Sequence, residues 1–243
     1  MKIGGFQKFS LLDYPGKLAA LIFTQGCNFR CPYCHNPQLV ESESREPEIS
    51  EESIFEFLET RKGKLTAVSI SGGEPTLQED IIPFLQRIKN LGFAIKLDTN
   101  GSKPDVLAEI DKHGLVDYWA MDIKAPLPLY KTITRSEIDE ELIPLSMDII
   151  RNSGKPFEFR TTFFELIFNW KDIRDIQSLL KPGDKFFLQQ CKYNDTLEEV
   201  RRSDLMEIRL AENTYIHLVE HPACQGLIDW GKARQIEIDI RSL

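Results

Sequence analysis

The chain has 243 residues, 42% of them hydrophobic, enough for a sizeable core in one α/β barrel-type domain or two small domains. Thirty Lys and Arg against 38 Asp and Glu leave a net charge of -8, which argues against a nucleic-acid duplex as the main partner. The longest apolar run, Leu18 to Phe23, is too short to cross a bilayer or to form a signal-peptide core, so a cytoplasmic protein with no membrane partner is expected.

Met1 to Gly16 has no helical period and reads as a short hairpin or extended arm, with Asp13-Tyr14-Pro15-Gly16 as a turn. Leu18 to Thr24 has the length and continuous apolarity of a strand buried on both faces. The loop after it runs for roughly 25 residues, long for a plain connection, and includes the acidic, solvated segment Glu41 to Glu52. Ser50, followed by two glutamates, caps a helix that Gly63 ends. Leu65 to Ser71 is the second strand, and Ile81, Ile82, Leu85, Ile88 and Leu91 mark one face of a helix stopped by Gly92. Phe93 to Leu97 is the third strand, Pro104 to His113 a helix closed by Gly114, and Tyr118 to Ile123 the fourth strand. An irregular stretch follows, then a helix within Glu137 to Asn152, its start blurred by Pro144. Phe157 to Phe164 is the fifth strand, Lys171 to Leu180 a helix and Lys185 to Gln190 the sixth strand. Asp195 and Glu198 form a capping-box pattern opening a last helix to about Ala211, and Thr214 to Glu220 and Arg234 to Arg241 are terminal strands.

Six alternating strand-helix units imply right-handed crossovers and a parallel sheet. A full eight-unit barrel takes about 250 residues, so the expectation is an α/β partial (β/α)6 TIM-like barrel. A short N-terminal arm and C-terminal strands complete a single domain over residues 1–243.

Three of the five cysteines, Cys27, Cys31 and Cys34, lie within eight residues, a spacing unlike a secreted disulfide framework. Three thiolates do not close a tetrahedral zinc site: His35 is too near in sequence, and Cys191 and Cys224 are distant. An iron-sulfur cluster on three thiolates keeps one iron open. A zinc knuckle or buried thiols are the plain alternatives. Catalytic groups of a parallel barrel gather at the carboxyl ends of its strands, and there the sequence places the cysteines, Gly72-Gly73-Glu74-Pro75, Asp98-Thr99-Asn100-Gly101 and Asp122-Ile123-Lys124. Gly72 and Gly73 permit close backbone approach to a ligand, and Glu74 can accept from an ammonium group. Asp98, Thr99, Asn100, Asp122 and Lys124 suit ribose hydroxyls, a carboxylate or a bound cation. Cys191 and Cys224 read as buried small hydrophobes, and His217, His221 and Cys224 as polar surface near a strand end.

Cys27, Cys31 and Cys34, with Tyr33 directly before the third cysteine, resemble the cluster motif of the radical S-adenosylmethionine superfamily. That resemblance implies a [4Fe-4S] cluster on these cysteines, S-adenosylmethionine on its open iron, and the cofactor's amine on the Gly72-Gly73-Glu74 stretch. Cys34-His35-Asn36, Asp98-Thr99-Asn100-Gly101 and Asp122-Ile123-Lys124 are similar to the glycyl-radical-enzyme activases. This implies that Asn36, Asp122 and Lys124 contact S-adenosylmethionine and that a monovalent cation sits near Asp98 and Asp122. The opening, Gly4 to Lys8, Leu12 to Gly16 and Phe23 to Cys27, is most similar to the branch of anaerobic ribonucleoside-triphosphate reductase activating proteins. Where many activases have Asp-Gly-Pro-Gly, this chain has Asp13-Tyr14-Pro15-Gly16. Only 15 residues separate Cys34 from Ser50, too few for an inserted ferredoxin-like module. Where some members place a late His, this chain offers Gln189 or Gln190, and Arg160, Thr161 and Thr162 are further candidates.

The implied reaction is one-electron reductive cleavage of S-adenosylmethionine, followed by hydrogen abstraction from a backbone glycine of a glycyl radical enzyme. Flavodoxin or ferredoxin would supply the electron. The chemistry belongs to the cofactor, so no acid-base residue is required of the protein. The alternatives are a radical enzyme acting on a small molecule, nucleotide or peptide, and a non-catalytic metal-binding protein.

Overall fold

The computed structural model describes residues 1–40, 49–164, 167–191 and 221–241. Ile3–Ser10 (β1) pairs antiparallel with Ala19–Thr24 (β2), so the opening is the hairpin-like arm that its lack of helical period predicts. The remaining strands are Ala67–Gly72 (β3), Ala94–Thr99 (β4), Tyr118–Asp122 (β5), Phe157–Phe163 (β6), Lys185–Gln190 (β7) and Glu237–Arg241 (β8). Neighbouring strands are hydrogen-bonded in the order β1-β2-β3-β4-β5 and, in the second part of the chain, β6-β7-β8. The pairs β2–β3, β3–β4, β4–β5, β6–β7 and β7–β8 are parallel. This is the α/β fold with a mostly parallel sheet expected of a partial barrel. One detail differs: β8 is a further parallel strand beside β7 rather than a separate tail.

The described residues fall into two compact units. The first comprises Met1–Phe29, Gln38–Met121 and Leu145–Phe157; the second comprises Arg30–Pro37, Asp122–Pro144 and the described part of Glu158–Leu243. In the first, β2 is buried throughout except at Phe23, because a parallel strand is covered on both faces. Glu51–Glu59 (α1) begins where the sequence predicts, with the Ser50 hydroxyl accepting from the Ser53 amide at 3.2 Å. Ile81–Asn90 (α2) buries Ile81, Phe84, Leu85 and Ile88, the i, i+3, i+4, i+7 stripe of a helix lying on a sheet. Burial of each such side chain stabilises by about 1.5–3 kcal/mol. Pro104–Lys112 (α3) starts on a proline, whose missing amide costs nothing in a first turn.

The second unit holds a helix that the sequence does not announce. Tyr130–Thr134 (α4) lies in the stretch expected to be irregular, and at five residues it is too short for an amphipathic period to show. Leu142–Asn152 (α5) follows in sequence, with Pro144 tolerated in its first turn, and from Leu145 onward it belongs to the first unit. Trp170–Gln177 (α6) opens on a complete capping box between Asn169 and Asp172. Pro222–Lys232 (α7) is also unannounced: Gly226 and Gly231 weaken its helical signal, although Pro222 in the first turn and the His221 cap are legible in hindsight. The expected helix from Asp195 to Ala211, the strand at Thr214–Glu220 and His217 lie outside the described residues, as does most of the acidic segment. Among the described residues no helix is long and apolar enough to cross a membrane.

Candidate functional site

In the first unit, the carboxyl ends of β2, β3 and β4 are tied together by Glu74. This side chain is 1% exposed. Its Oε1 accepts from the Thr76 amide (3.1 Å), the Thr76 hydroxyl (2.6 Å) and the Thr99 hydroxyl (2.8 Å), and its Oε2 accepts from the Asn100 amide (2.6 Å). Burial raises the Glu74 pKa above its ordinary value, against the lowering pull of these bonds. The carboxylate is therefore a tie between the Gly-Gly-Glu and Asp-Thr-Asn-Gly stretches. Asn100 carries the tie onward: its Nδ2 donates to Asn28 Oδ1 (2.9 Å) and lies 3.9 Å from Cys27 Sγ, which also accepts from the Phe29 amide at 3.4 Å.

The glycines before Glu74 have a packing reason. A Cβ on Gly73 would lie 2.1 Å from the Gly26 carbonyl oxygen, and one on Gly72, whose φ is +113°, would lie 2.5 Å from the Thr24 amide nitrogen. In their place run backbone bonds from Gly73 N to Thr24 O and from Glu74 N to Gly26 O, both 2.8 Å. Gly72 and Gly73 thus let the end of β3 lie against the backbone that leads into Cys27. Asp98 is bonded by the Ser71 hydroxyl at 3.1 Å and by the ammonium of Lys96, a buried lysine that sequence reasoning passed over.

In the second unit, Lys124 is fixed at three places. Its carbonyl accepts from the Tyr33 hydroxyl (2.6 Å), its amide donates to the Tyr130 hydroxyl (3.0 Å), and its ammonium donates to Asp122 Oδ2 (3.0 Å). Asp122 Oδ1 accepts in turn from Arg160 Nε at 2.8 Å. Burial alone would raise the Asp122 pKa, but Arg160 and Lys124 outweigh it and hold the carboxyl well below the usual carboxylate range. Burial likewise opposes the charge on Lys124, yet attraction from Asp122, Cys31 and Cys34 raises its pKa. Tyr33 packs against Phe164 and Phe168 with ring centroids 6.0 and 5.9 Å away, and burial raises its pKa. The Arg30 amide donates to the Thr134 carbonyl (2.7 Å) and the Cys34 amide to the Cys31 carbonyl (3.0 Å), so α4 and a tight turn shape this part of the cysteine loop.

The expected site residues therefore form two sets. Cys27, Gly72, Gly73, Glu74, Asp98, Thr99 and Asn100 belong to the first unit, and all but Asp98 are joined there by the contacts above. Cys31, Tyr33, Cys34, Asn36, Asp122, Lys124 and Gln189 belong to the second, where Tyr33, Asp122 and Lys124 are joined. Asn36 is half-buried, and Gln189 stands in the ladder between Thr162 and Arg241. Cys191 is buried as expected and lies 3.7 Å from His35 Nε2. Cys224 is also buried, and burial pushes its thiol up to about 11. Sequence reasoning missed Asn28, Thr76, Ser102 and Tyr130: Asn28 meets Ser102 and Asn100 from far away in the chain, whereas Thr76 and Tyr130 bond the nearby Glu74 and Lys124. The sulfurs suit an anionic ligand set: Cys27 has two N–H groups directed at it, and Cys31 and Cys34 attract the Lys124 ammonium.

These features define an α/β protein with a thiol-rich loop at the carboxyl end of its first parallel strand. More particularly, the chain belongs to the Radical SAM superfamily, whose family model matches residues 21–180. The family implies a [4Fe-4S] cluster and S-adenosylmethionine. The chain is 36% identical over 202 residues to MJ1227 of Methanocaldococcus jannaschii, whose name assigns it provisionally to the glycyl-radical enzyme activating enzymes; the match covers 81% of this chain and 82% of that protein. It is 27% identical over 218 residues to the pyruvate formate-lyase-activating enzyme of Streptococcus mutans, covering 84% and 76%. Among solved structures, Streptococcus suis SuiB bound to S-adenosylmethionine shares the fold with a TM-score of 0.58 at 15% identity, over 89% of this chain and 48% of that one. The chain thus spans about half the length of SuiB.

Proposed function

We propose that this chain is an activating enzyme that generates a glycyl radical on a partner enzyme. The observation that carries the reading is the 36% identity over 81% of the chain to a relative named for that activity. When bound, the cluster and S-adenosylmethionine supply an electron and a carbon-centred radical. The chain's own part is to hold and orient. Cys27, Cys31 and Cys34 are the cluster ligands in this reading. The Lys124 ammonium, held in place by Asp122, would suit the cofactor's carboxylate, and Tyr33, Asn36, Asp98, Thr99 and Gln189 are the further residues assigned to contact it. Glu74, whose carboxylate accepts from Thr76, Thr99 and Asn100, fixes the loops around it, and its Oε2, with the Asn100 amide as donor, keeps acceptor capacity for the cofactor's ammonium. Lys96 stands on Asp98, and Lys124 and Arg160 on Asp122, so these carboxylates are assigned to fixed cations rather than to a monovalent ion.

The opening segment, Gly4 to Cys27, favours an anaerobic ribonucleoside-triphosphate reductase as the partner. A single domain over residues 1–243, a cytoplasmic setting and a flavodoxin or ferredoxin donor complete the reading. Anaerobic incubation of the reconstituted protein with S-adenosylmethionine, reductant and a panel of glycyl radical enzymes tests it. A glycyl doublet in electron paramagnetic resonance is expected on the reductase. Turnover of a small substrate with no doublet on any partner would refute the proposal.

A further inference from the structure

The Asn100 side chain is 4% exposed, and each of its polar atoms has a defined partner. The Ser102 amide donates to Oδ1 at 2.9 Å, which fixes the orientation of the carboxamide. Its Nδ2 therefore faces Asn28 Oδ1 at 2.9 Å and Cys27 Sγ at 3.9 Å, one acceptor for each of its two hydrogens. The backbone is fixed as well, because the Asn100 amide donates to Glu74 Oε2. Asn28 is held from its other end, its Nδ2 donating to the Ser102 hydroxyl at 2.9 Å.

We infer that Asn100 is a positioning residue that sets the reduction potential of the cluster through the sulfur of Cys27. This inference rests on Cys27 being a cluster ligand. An N–H directed at a ligating sulfur draws off negative charge, and hydrogen bonds to the sulfurs are among the determinants of cluster potential. Reduction adds an electron, so the reduced state gains more from the donor than the oxidised state does. Loss of the donor makes the cluster harder to reduce. The Phe29 amide also donates to this sulfur, but it is backbone and persists in every side-chain variant.

The test is the midpoint potential of the reconstituted protein without S-adenosylmethionine, for Asn100→Ala, Asn100→Asp and Ser102→Ala. Asn100→Ala removes the donor, and Asn100→Asp puts an acceptor oxygen in its place. Both are expected to shift the potential negative, Asn100→Asp further. Ser102→Ala releases one end of Asn28 without touching the sulfur and is expected to leave the potential where it was. Unshifted potentials in both Asn100 variants, or an equal shift in Ser102→Ala, would overturn the inference. So would loss of iron from both Asn100 variants, because the side chain would then be retaining the cluster rather than tuning it. Cys27→Ala separates this result from the premise: full iron and sulfide in that variant would defeat the ligand assignment itself.

Discussion

The hydroxyl of Tyr33 stands 2.6 Å from the carbonyl oxygen of Lys124, joining residues 91 apart in sequence. The aromatic residue of the cysteine motif thus holds the backbone of the Asp-Ile-Lys stretch in place, besides packing against Phe164 and Phe168.

Tyr33→Phe keeps the ring and removes that bond. A buried hydrogen bond is worth about 0.5–1.5 kcal/mol net. For a chain of this size the loss lowers Tm by about 2–4 °C per kcal/mol, measurable in the cluster-free protein. S-adenosylmethionine binding weakens by about fivefold if 1 kcal/mol of Lys124 positioning is lost. An unchanged Tm would show that the bond contributes nothing.

Asp122 gives an acid-side signature. Its folded-state pKa lies below its ordinary value of 3.8, because Arg160 and Lys124 outweigh the effect of burial. The stability it contributes is therefore present above the unfolded pKa and is lost as pH falls through the folded one. Urea midpoints of the wild type and Asp122→Asn should differ at pH 7 and converge below about pH 4. Parallel curves across that range would contradict the assignment.

Glu74→Gln exchanges one acceptor oxygen for a donor in a site whose neighbours include the Thr76 and Asn100 amides. One buried amide then loses its acceptor, at a cost of about 1–3 kcal/mol. Urea unfolding should show that loss. If stability is unaffected, the hydrogen bonds from Thr76, Thr99 and Asn100 do not act as a tie.

Gly73→Ala places a methyl 2.1 Å from the Gly26 carbonyl and should prevent the end of β3 from seating. Overpacking of this kind typically costs about 1–3 kcal/mol and sometimes more. Iron content after reconstitution should fall. Gly92→Ala is the comparison: its φ of +87° is strained but nothing lies within 4 Å, so about 1 kcal/mol is expected with iron retained. Equal iron in the two variants would show that the close approach at Gly73 is not what shapes the loop.

Most of the strand order was legible because apolar runs such as Ala19–Thr24 and stripes such as Ile81 to Ile88 report burial locally. The motifs were legible for a similar reason: cysteine spacing and Gly-Gly-Glu are short-range patterns. What escaped depends on which side chains meet once the chain is folded. Nothing near Glu74 in sequence reveals that Thr99 and Asn100 bond its carboxylate. Tyr130 carries no motif of its own, and the bond from the Lys124 amide to its hydroxyl appears only in the fold. Helix α7 was hidden by its own glycines, and β8 looked like a tail because its pairing with β7 is set by crossover topology rather than by composition.

The link from Glu74 through Asn100 to Asn28 and Ser102 bears on how this sequence can change over evolutionary time. Each member is satisfied by another, so a substitution at one strands a buried polar atom on its neighbour. Variation at positions 28, 74, 100 and 102 should therefore be correlated among descendants, arising as joint replacements, while the solvent-facing positions between them drift independently.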